Sequence, residues 1–246
     1  MSLTEKPLVA AHQLCVERSG RSVLHEITLE INHGETVALL GTNGSGKSTL
    51  LQALVGLIPL SSGLVEICAG HDSQSGIALV PQFAPPTSLI PLTVFELVSS
   101  GLTNRSSYWG ASRLERKQVF EAIDSVGLSK QQRYKYSSLS GGQLRRALIA
   151  RALVSQADLL LLDEPLAGLD RESVISVVIL LKELKQAGYS MLVVSHELSD
   201  LDGLFTGVIE LENRKIKYDG IPLDRHHQHT DQHHQHPNSD QAGIAI

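Results

Sequence analysis

Gly41-Thr42-Asn43-Gly44-Ser45-Gly46-Lys47-Ser48 is a phosphate-loop sequence: a glycine, four further residues and then Gly-Lys-Ser. It follows an apolar run, 37–40, and precedes a helix-like segment, 48–54, which is the strand–loop–helix context that the motif requires. We expect backbone N–H groups to surround phosphate oxygens at the helix N-terminus. Lys47 would reach the β- and γ-phosphates, the Ser48 hydroxyl would bind Mg²⁺, and Thr49 would complete the binding segment. Alone, the pattern would also fit a glycine-rich turn before an ordinary helix.

A continuous apolar run, Leu159–Leu162, ends in two carboxylates, Asp163 and Glu164. Such a run is typical of a buried parallel strand. Asp163 at the carboxyl end of the strand can hold Mg²⁺, and Glu164 can orient and deprotonate an attacking water. Without the phosphate loop, a surface acidic pair at a strand end would be the simpler interpretation.

A third segment, Leu139-Ser140-Gly141-Gly142-Gln143, precedes a helical pattern over 144–153. A serine and two glycines at a helix start expose donors to an anion, although a plain helix cap would look similar. This segment resembles the signature sequence of ATP-binding cassette (ABC) transporter ATPases, and the resemblance extends from about residue 7 to about 222. It implies that Ser140, Gly141, Gly142 and Gln143 contact ATP bound to a second subunit.

The resemblance assigns roles to further residues. It implies that Gln82 approaches Mg²⁺ and that His196, after the apolar run 191–194, senses the γ-phosphate. It also implies that the loop 167–170, ending in Asp170, passes between two subunits. Two positions depart from the family: Arg18 stands where an aromatic residue usually stacks on adenine, and Arg145 stands where the signature helix commonly has glutamine. A guanidinium can also stack on a purine, and we expect the Arg145 change to affect contacts at the helical subdomain rather than the chemistry.

Composition restricts the class of protein. The chain has 246 residues, 42% of them hydrophobic, enough for one sizeable α/β core with an attached subdomain. A net charge of −5 and an aromatic content of 4% argue against a nucleic-acid partner. Cys15 and Cys68 have no metal or redox spacing, so we interpret them as free thiols of a reducing cytosol. The N-terminus lacks an apolar signal region, and the apolar stretch 174–181 is shorter than the ~20 residues that span a bilayer.

The order of patterns predicts an α/β fold: a P-loop ABC ATPase core with a mostly parallel sheet, an N-terminal antiparallel β subdomain and a helical insertion subdomain. We assign 7–224 to the ATPase domain and about 84–156 to the helical subdomain, opened by Pro85-Pro86. One predicted helix covers 112–126. The core then alternates: strand 159–163, helix 171–187, strand 190–195, helix 197–204 and a closing hairpin 207–218.

Residues 225–246 differ in kind from the rest and are predicted to be a disordered tail. Six of the eleven histidines lie here: His226, His227, His229, His233, His234 and His236. Imidazole suits Zn²⁺, Ni²⁺ and Cu²⁺, so the composition favours metal binding, with Zn²⁺ the candidate ion. An affinity tag and a functionless low-complexity tail are the alternatives.

The substrate class is predicted from a narrower resemblance. Segments 80–82, 91–94 and 101–103, with Tyr108-Trp109, resemble the zinc/manganese-importer branch of the family. The resemblance implies a homodimer that closes on ATP and Mg²⁺, at the cytoplasmic face of a membrane, with polytopic permease subunits and an extracytoplasmic metal-binding protein. The alternatives are an ATPase for another small-solute transporter, import or export, and a soluble assembly ATPase such as an iron–sulfur scaffold ATPase.

Overall fold

The computed structural model describes residues 6–67, 76–82, 92–102, 112–196 and 198–220. Nine strands and five α-helices are defined within these ranges. The strands are β1 (Val9–Arg18), β2 (Arg21–Ile31), β3 (Thr36–Leu40), β4 (Ser62–Ile67), β5 (Ile77–Val80), β6 (Leu159–Asp163), β7 (Ser190–Val194), β8 (Gly207–Glu212) and β9 (Lys215–Gly220). The helices are α1 (Lys47–Leu54), α2 (Val94–Ser99), α3 (Arg113–Ser125), α4 (Gly141–Leu153) and α5 (Arg171–Gln186). Cys68, Pro85-Pro86, Thr103, Tyr108-Trp109 and the histidine-rich tail lie outside the described residues.

The larger sheet has six strands in the order β5-β6-β7-β3-β8-β9. All neighbours are parallel except β8 and β9, which form an antiparallel hairpin. Side chains alternate across this sheet: Leu159 and Leu161 of β6 enter one core, whereas Leu160 and Leu162 enter the other. Because both faces are covered, the first four residues of β6 are all apolar, as expected for a buried parallel strand.

The second sheet is antiparallel, in the order β2-β1-β4, and lies at the N-terminal end of the chain. Strands β1 and β2 are joined by a tight turn at Ser19-Gly20, where both residues have positive φ (50° and 72°). Leu14 and Leu24 from this sheet pack in one apolar core with Leu50 and Leu51 of α1. The antiparallel subdomain therefore packs directly against the helix that follows the phosphate loop.

The helical subdomain contains α2, α3 and α4, each of which begins with a capping box. The N-cap residues are Thr93, Ser112 and Ser140, and the reciprocal partners three residues later are Glu96, Glu115 and Gln143. Each box satisfies two backbone donors that a helix N-terminus would otherwise leave unpaired. The three helices and one face of the large sheet form a single apolar core. These layers confirm the predicted α/β class with its antiparallel and helical subdomains.

One predicted element is wrong, and others differ at their ends. The segment predicted as a helix over 197–204 has only a 3₁₀ turn, Ser199–Leu201, in its described residues. Asp202 leaves the helical region with ψ 137°, and Gly203 is left-handed with φ 71°, so the turn cannot continue as a helix. Helix α5 ends one residue before the predicted 187, strand β7 ends one residue before the predicted 195, and the closing hairpin extends to Gly220. None of the described helices has the length and apolar content to cross a bilayer.

Candidate active site

The predicted site residues follow neighbouring parallel strands at the carboxyl edge of the large sheet. The phosphate loop comes after β3, Gln82 after β5, and His196 after β7, whereas Asp163 is the last residue of β6. These four strands are adjacent in the sheet. Because parallel strands end at one edge, the fold brings together segments that are far apart in sequence, at the place where open α/β sheets bind ligands.

The phosphate loop requires glycine at two of its positions. Gly41 has φ 153°, and a Cβ there would clash with the carbonyl oxygen of Leu211. Gly46 has φ 108°, and a Cβ there would lie 2.7 Å from Cδ2 of Leu24. Both conformations disfavour residues with a side chain. The loop can therefore lie against β8 and β2 only with glycine at both positions.

Lys47 is 6% exposed and lies within the phosphate loop. Its Nζ donates to the carbonyl oxygens of Gly41 and Thr42, at 2.8 and 2.9 Å. Burial lowers the pKa of Lys47, while Glu164 and Asp163 oppose that shift. Among the described residues no carboxylate forms an ion pair with Lys47. An ammonium of this kind in a loop of backbone donors is suited to phosphate, which would supply the negative charge.

Asp163 and Ser48 form the candidate Mg²⁺ position. Burial raises the pKa of Asp163, and a hydrogen bond with the Ser48 side chain partly opposes that shift. Asp163 is 9% exposed, and its Oδ1 is buried without a hydrogen-bond partner among the described residues. A buried oxygen of this kind needs a partner, and oxygen donors are what Mg²⁺ prefers. The residues present therefore fit a magnesium ion held together with nucleotide phosphates.

Glu164 is held at the centre of the candidate catalytic group. Its Oε2 accepts a hydrogen bond from Nε2 of Gln82 at 2.6 Å, and its Oε1 lies 2.6 Å from Nε2 of His196. Its backbone is left-handed, with φ 47°, a conformation that is rare for residues other than glycine and that clusters at functional sites. The side chain is 18% exposed and faces a cleft of about 310 Å³, so water can reach it.

The signature segment starts α4 and packs against the start of α5. The Ser140 Oγ accepts from the backbone N–H of Gln143 at 3.2 Å, and Gln143 Oε1 accepts from the N–H of Ser140 at 3.0 Å. A Cβ at Gly142 would clash with the side chain of Ser173. Ser140 and Gly141 are exposed, and they can therefore be reached by another molecule.

Asp170 and Arg18, two further predicted site residues, lie at the ends of elements: Asp170 is the N-cap of α5, and Arg18 is the last residue of β1. Asp170 caps α5: its carboxylate accepts from the backbone N–H and the hydroxyl of Ser173, both at 2.9 Å, and these bonds lower the pKa of Asp170. Arg18 is exposed at the end of β1, opposite Arg21 across the tight turn. This hairpin continues into the Val23–Leu24 part of β2, which lies beside Gly46 of the phosphate loop.

The structure identifies the partners of Arg145, which the sequence could not. We expected contacts at the helical subdomain, and the Arg145 guanidinium donates from α4 to the carbonyl oxygens of Pro81 and Gln82, both at 2.8 Å. Nothing in the sequence distinguishes Arg145 from Arg146, the adjacent cation of the same helix. No periodicity could identify its acceptors, because they lie more than 60 positions earlier in the chain.

Comparison with known proteins identifies the family. The family model described as ABC transporter matches residues 24–167. The zinc transport system ATP-binding protein TroB of Treponema pallidum is 39% identical over 85% of this chain and 79% of its own length. The manganese transport system ATP-binding protein MntB of Bacillus subtilis is 34% identical over 80% of each. Among solved structures, the chain resembles cbiO1 of Clostridium perfringens, which is part of the ABC transporter complex cbiONQ. The sequence identity is 28% and the TM-score 0.72, and the match covers 88% of this chain and 89% of cbiO1.

Proposed function

Because this chain belongs to the ABC transporter family as an ATP-binding subunit, we propose that it powers the import of a transition metal ion, zinc or manganese, through separate membrane subunits. ATP hydrolysis is the activity of this family, and membrane permease partners and dimerisation are typical of it. The observation that carries the metal assignment is the 34–39% identity, over most of the chain, to subunits named for zinc and manganese transport. The sequence segments that resemble the same branch agree with it.

For hydrolysis we assign the central role to Glu164. Its carboxylate would accept a proton from the attacking water, because a general base must lie within hydrogen-bonding reach of the proton that it removes. Gln82 and His196, each 2.6 Å from a different oxygen of Glu164, would hold the carboxylate in one orientation. His196 would also contact the γ-phosphate.

The phosphate loop would bind and orient the nucleotide, and most of the catalysis would come from positioning and electrostatics, as for phosphoryl transfer in general. The segment Gly41–Thr49 would surround the phosphates, with Lys47 turning from its loop carbonyls toward the β- and γ-oxygens. Ser48, Asp163 and Gln82 would hold Mg²⁺, which supplies charge neutralisation of the phosphates. Arg18 would lie on one face of the adenine, in place of an aromatic ring.

We propose that the complete site needs two subunits. Ser140 and Gly141 are exposed at the start of α4, where backbone donors can meet the phosphates of ATP held by Lys47 of a second subunit. Asp170 lies at the start of the neighbouring helix and would face the same junction. The assembly would therefore hold two ATP molecules, each bound between a phosphate loop and the partner's signature segment.

The remaining partners follow from the same proposal. The subunit would lie peripherally at the cytoplasmic face of a membrane, bound to polytopic permease chains, while an extracytoplasmic protein would deliver the metal ion. The tail histidines would bind Zn²⁺ near the transporter.

The test is purification of the full chain from detergent-solubilised membranes of its host. We expect a polytopic membrane protein to co-purify, and vesicles containing the complex to accumulate Zn²⁺ or Mn²⁺ when ATP is supplied. A complex carrying Lys47→Ala is the control, since it should assemble but not transport. ATP-dependent uptake of a different small solute, or assembly with a soluble iron–sulfur scaffold instead of a membrane protein, would overturn the proposed substrate.

A further inference from the structure

Arg145 is a buried cation that the proposed reaction does not use. It lies in the second turn of α4, is 6% exposed, and uses two different guanidinium nitrogens to contact two consecutive carbonyl oxygens, those of Pro81 and Gln82. A planar guanidinium with donors in a fixed fork holds two acceptors in one geometry, which a flexible ammonium cannot do. The backbone that leaves β5 is therefore fixed to the signature helix.

The side chain of the residue so fixed contacts the candidate base. Gln82 donates its amide to Oε2 of Glu164 at 2.6 Å, and that amide cannot keep its position if the Gln82 backbone moves. Part-buried polar contacts form a continuous path from Arg145 through Gln82 to Glu164. The acceptors of Arg145 are neutral carbonyls, which leave its positive charge uncompensated. That charge attracts the carboxylates of Asp163 and Glu164 and opposes the rise in the pKa of Asp163 that burial causes.

We propose that Arg145 is a positioning residue, which transmits the position of the signature helix to Glu164 of the same chain by fixing the backbone of Gln82. The inference rests on the proposed role of Glu164. Its physical basis is that a displacement of about 1 Å at a catalytic group can cost on the order of 10²-fold in rate. The residue touches neither the nucleotide loop nor the reacting atoms, so its loss should change turnover and not nucleotide binding.

The experiment is a double-mutant cycle on ATP hydrolysis by the full chain, with Arg145→Met and Gln82→Ala. Met removes both donors and keeps a long side chain. We expect Arg145→Met alone to lower kcat about tenfold, within the coupling range of residues in contact, while the ATP Kd stays within about twofold. In the Gln82→Ala background the same substitution should lower kcat less than twofold. Arg145→Gln, which retains one donor and is the residue that the family commonly has here, should be intermediate and well folded.

Arg146→Met is the matched control. Arg146 is the next residue of α4 and also donates to a backbone carbonyl, that of Val126 at 2.9 Å, but on the side of the helical subdomain. The Arg146→Met substitution should lower the melting temperature without changing kcat. Two results would overturn the proposal. One is that Arg145→Met lowers kcat equally in the wild-type and Gln82→Ala backgrounds, and the other is that Arg146→Met lowers kcat as much as Arg145→Met does. Normal turnover of Glu164→Gln would instead overturn the role of Glu164, while the coupling of Arg145 to Gln82 would remain measurable.

Discussion

At the scale of single residues, Glu164 combines a left-handed backbone with contacts at both carboxylate oxygens. A left-handed backbone of φ 47° costs on the order of 1–3 kcal/mol for a residue with a side chain. The conformation is retained because Gln82 and His196 hold the two carboxylate oxygens. These two contacts fix the orientation of the carboxylate beside the cleft that Glu164 lines.

The first prediction follows for Glu164→Gln. A glutamine can keep both hydrogen-bonded neighbours but cannot accept the proton of a water, so kcat should fall by roughly 10²–10⁴, the usual contribution of a general base. ATP affinity should stay the same, and an ATP-bound dimer should accumulate, which size-exclusion chromatography with ATP and Mg²⁺ would detect. Glu183→Gln, on the exposed face of α5, is the control. Normal turnover of Glu164→Gln would show that another group removes the proton.

The second prediction concerns Asp163, whose pKa is raised mainly by burial. Since the folded pKa lies above the unfolded value, ionisation of Asp163 costs stability at every pH above the folded pKa. Asp163→Asn should therefore raise the free energy of unfolding of the nucleotide-free protein at pH 8, by on the order of 1 kcal/mol for each pH unit that separates the folded pKa from the unfolded one. The gain should diminish as the pH falls through the raised pKa toward about 4, the ordinary aspartate value.

Urea unfolding of the wild type and Asp163→Asn at several pH values measures this difference directly. The same variant should lose the increase in melting temperature that ATP with Mg²⁺ gives the wild type, because the buried oxygen for the ion is replaced. A variant that is less stable than the wild type at pH 8, or that keeps the full response to Mg²⁺, would contradict the assignment of Asp163.

At the scale of elements, α4 has two tasks at its N-terminus. Its capping box satisfies the first backbone donors of the helix within the chain, whereas the exposed Ser140 and Gly141 are proposed to meet the ATP of a second subunit. Helix α3 offers a comparison within the same subdomain, because Ser112 forms the same box with Glu115 over a helix of equal length, 13 residues.

The third prediction compares the two caps. Ser140→Arg and Ser112→Arg should each lose a capping contact and lower stability by about 0.5–2 kcal/mol. Only Ser140→Arg should abolish ATP-driven dimerisation and steady-state hydrolysis, because a bulky cation would occupy the junction; ATP binding to its monomer should persist. Light scattering, fluorescent-nucleotide titration and urea unfolding separate these effects. Unimpaired hydrolysis by Ser140→Arg would contradict the two-subunit site.

The elements also show which features the sequence could predict. The phosphate loop, β6 and the signature helix were predictable because their patterns are local: a run of apolar residues, a glycine spacing, a capping residue. The end of the turn within 197–204 was not predictable. The mixture of polar and apolar residues there is compatible with a helix, but the backbone conformations of Asp202 and Gly203 stop it after one turn. The contact of Arg145 with Pro81 and Gln82 depends on how two distant elements pack, which no local pattern encodes.

At the scale of the whole molecule, the ATPase layers account for the described residues, whereas the composition of 225–246 differs from that of the rest of the chain. Six histidines within eleven positions offer several neutral imidazoles from one short segment. The composition of the tail predicts disorder, and ordering a disordered segment on binding costs entropy. We therefore expect modest affinity, with Zn²⁺ or Ni²⁺ preferred over Mg²⁺ by ligand type. Outside the tail, the described residues contain no group of three or more histidine, cysteine, aspartate or glutamate side chains suited to holding a metal ion.

The fourth prediction is that deletion of residues 225–246 removes Zn²⁺ binding and leaves basal ATP hydrolysis nearly unchanged, because every residue assigned to ATP lies before Glu197. Calorimetric titration of Zn²⁺ into the full chain and the truncated chain measures the first part. In the full chain the ion should be released as the pH falls through the histidine range near ~6.5, since protonated imidazole cannot bind a metal. A chain with asparagine at all six tail histidines is the matched control, which keeps the length and polarity of the tail. Equal Zn²⁺ binding by the full, truncated and asparagine chains would place the ion elsewhere, and the tail would then give no reason to expect a metal substrate.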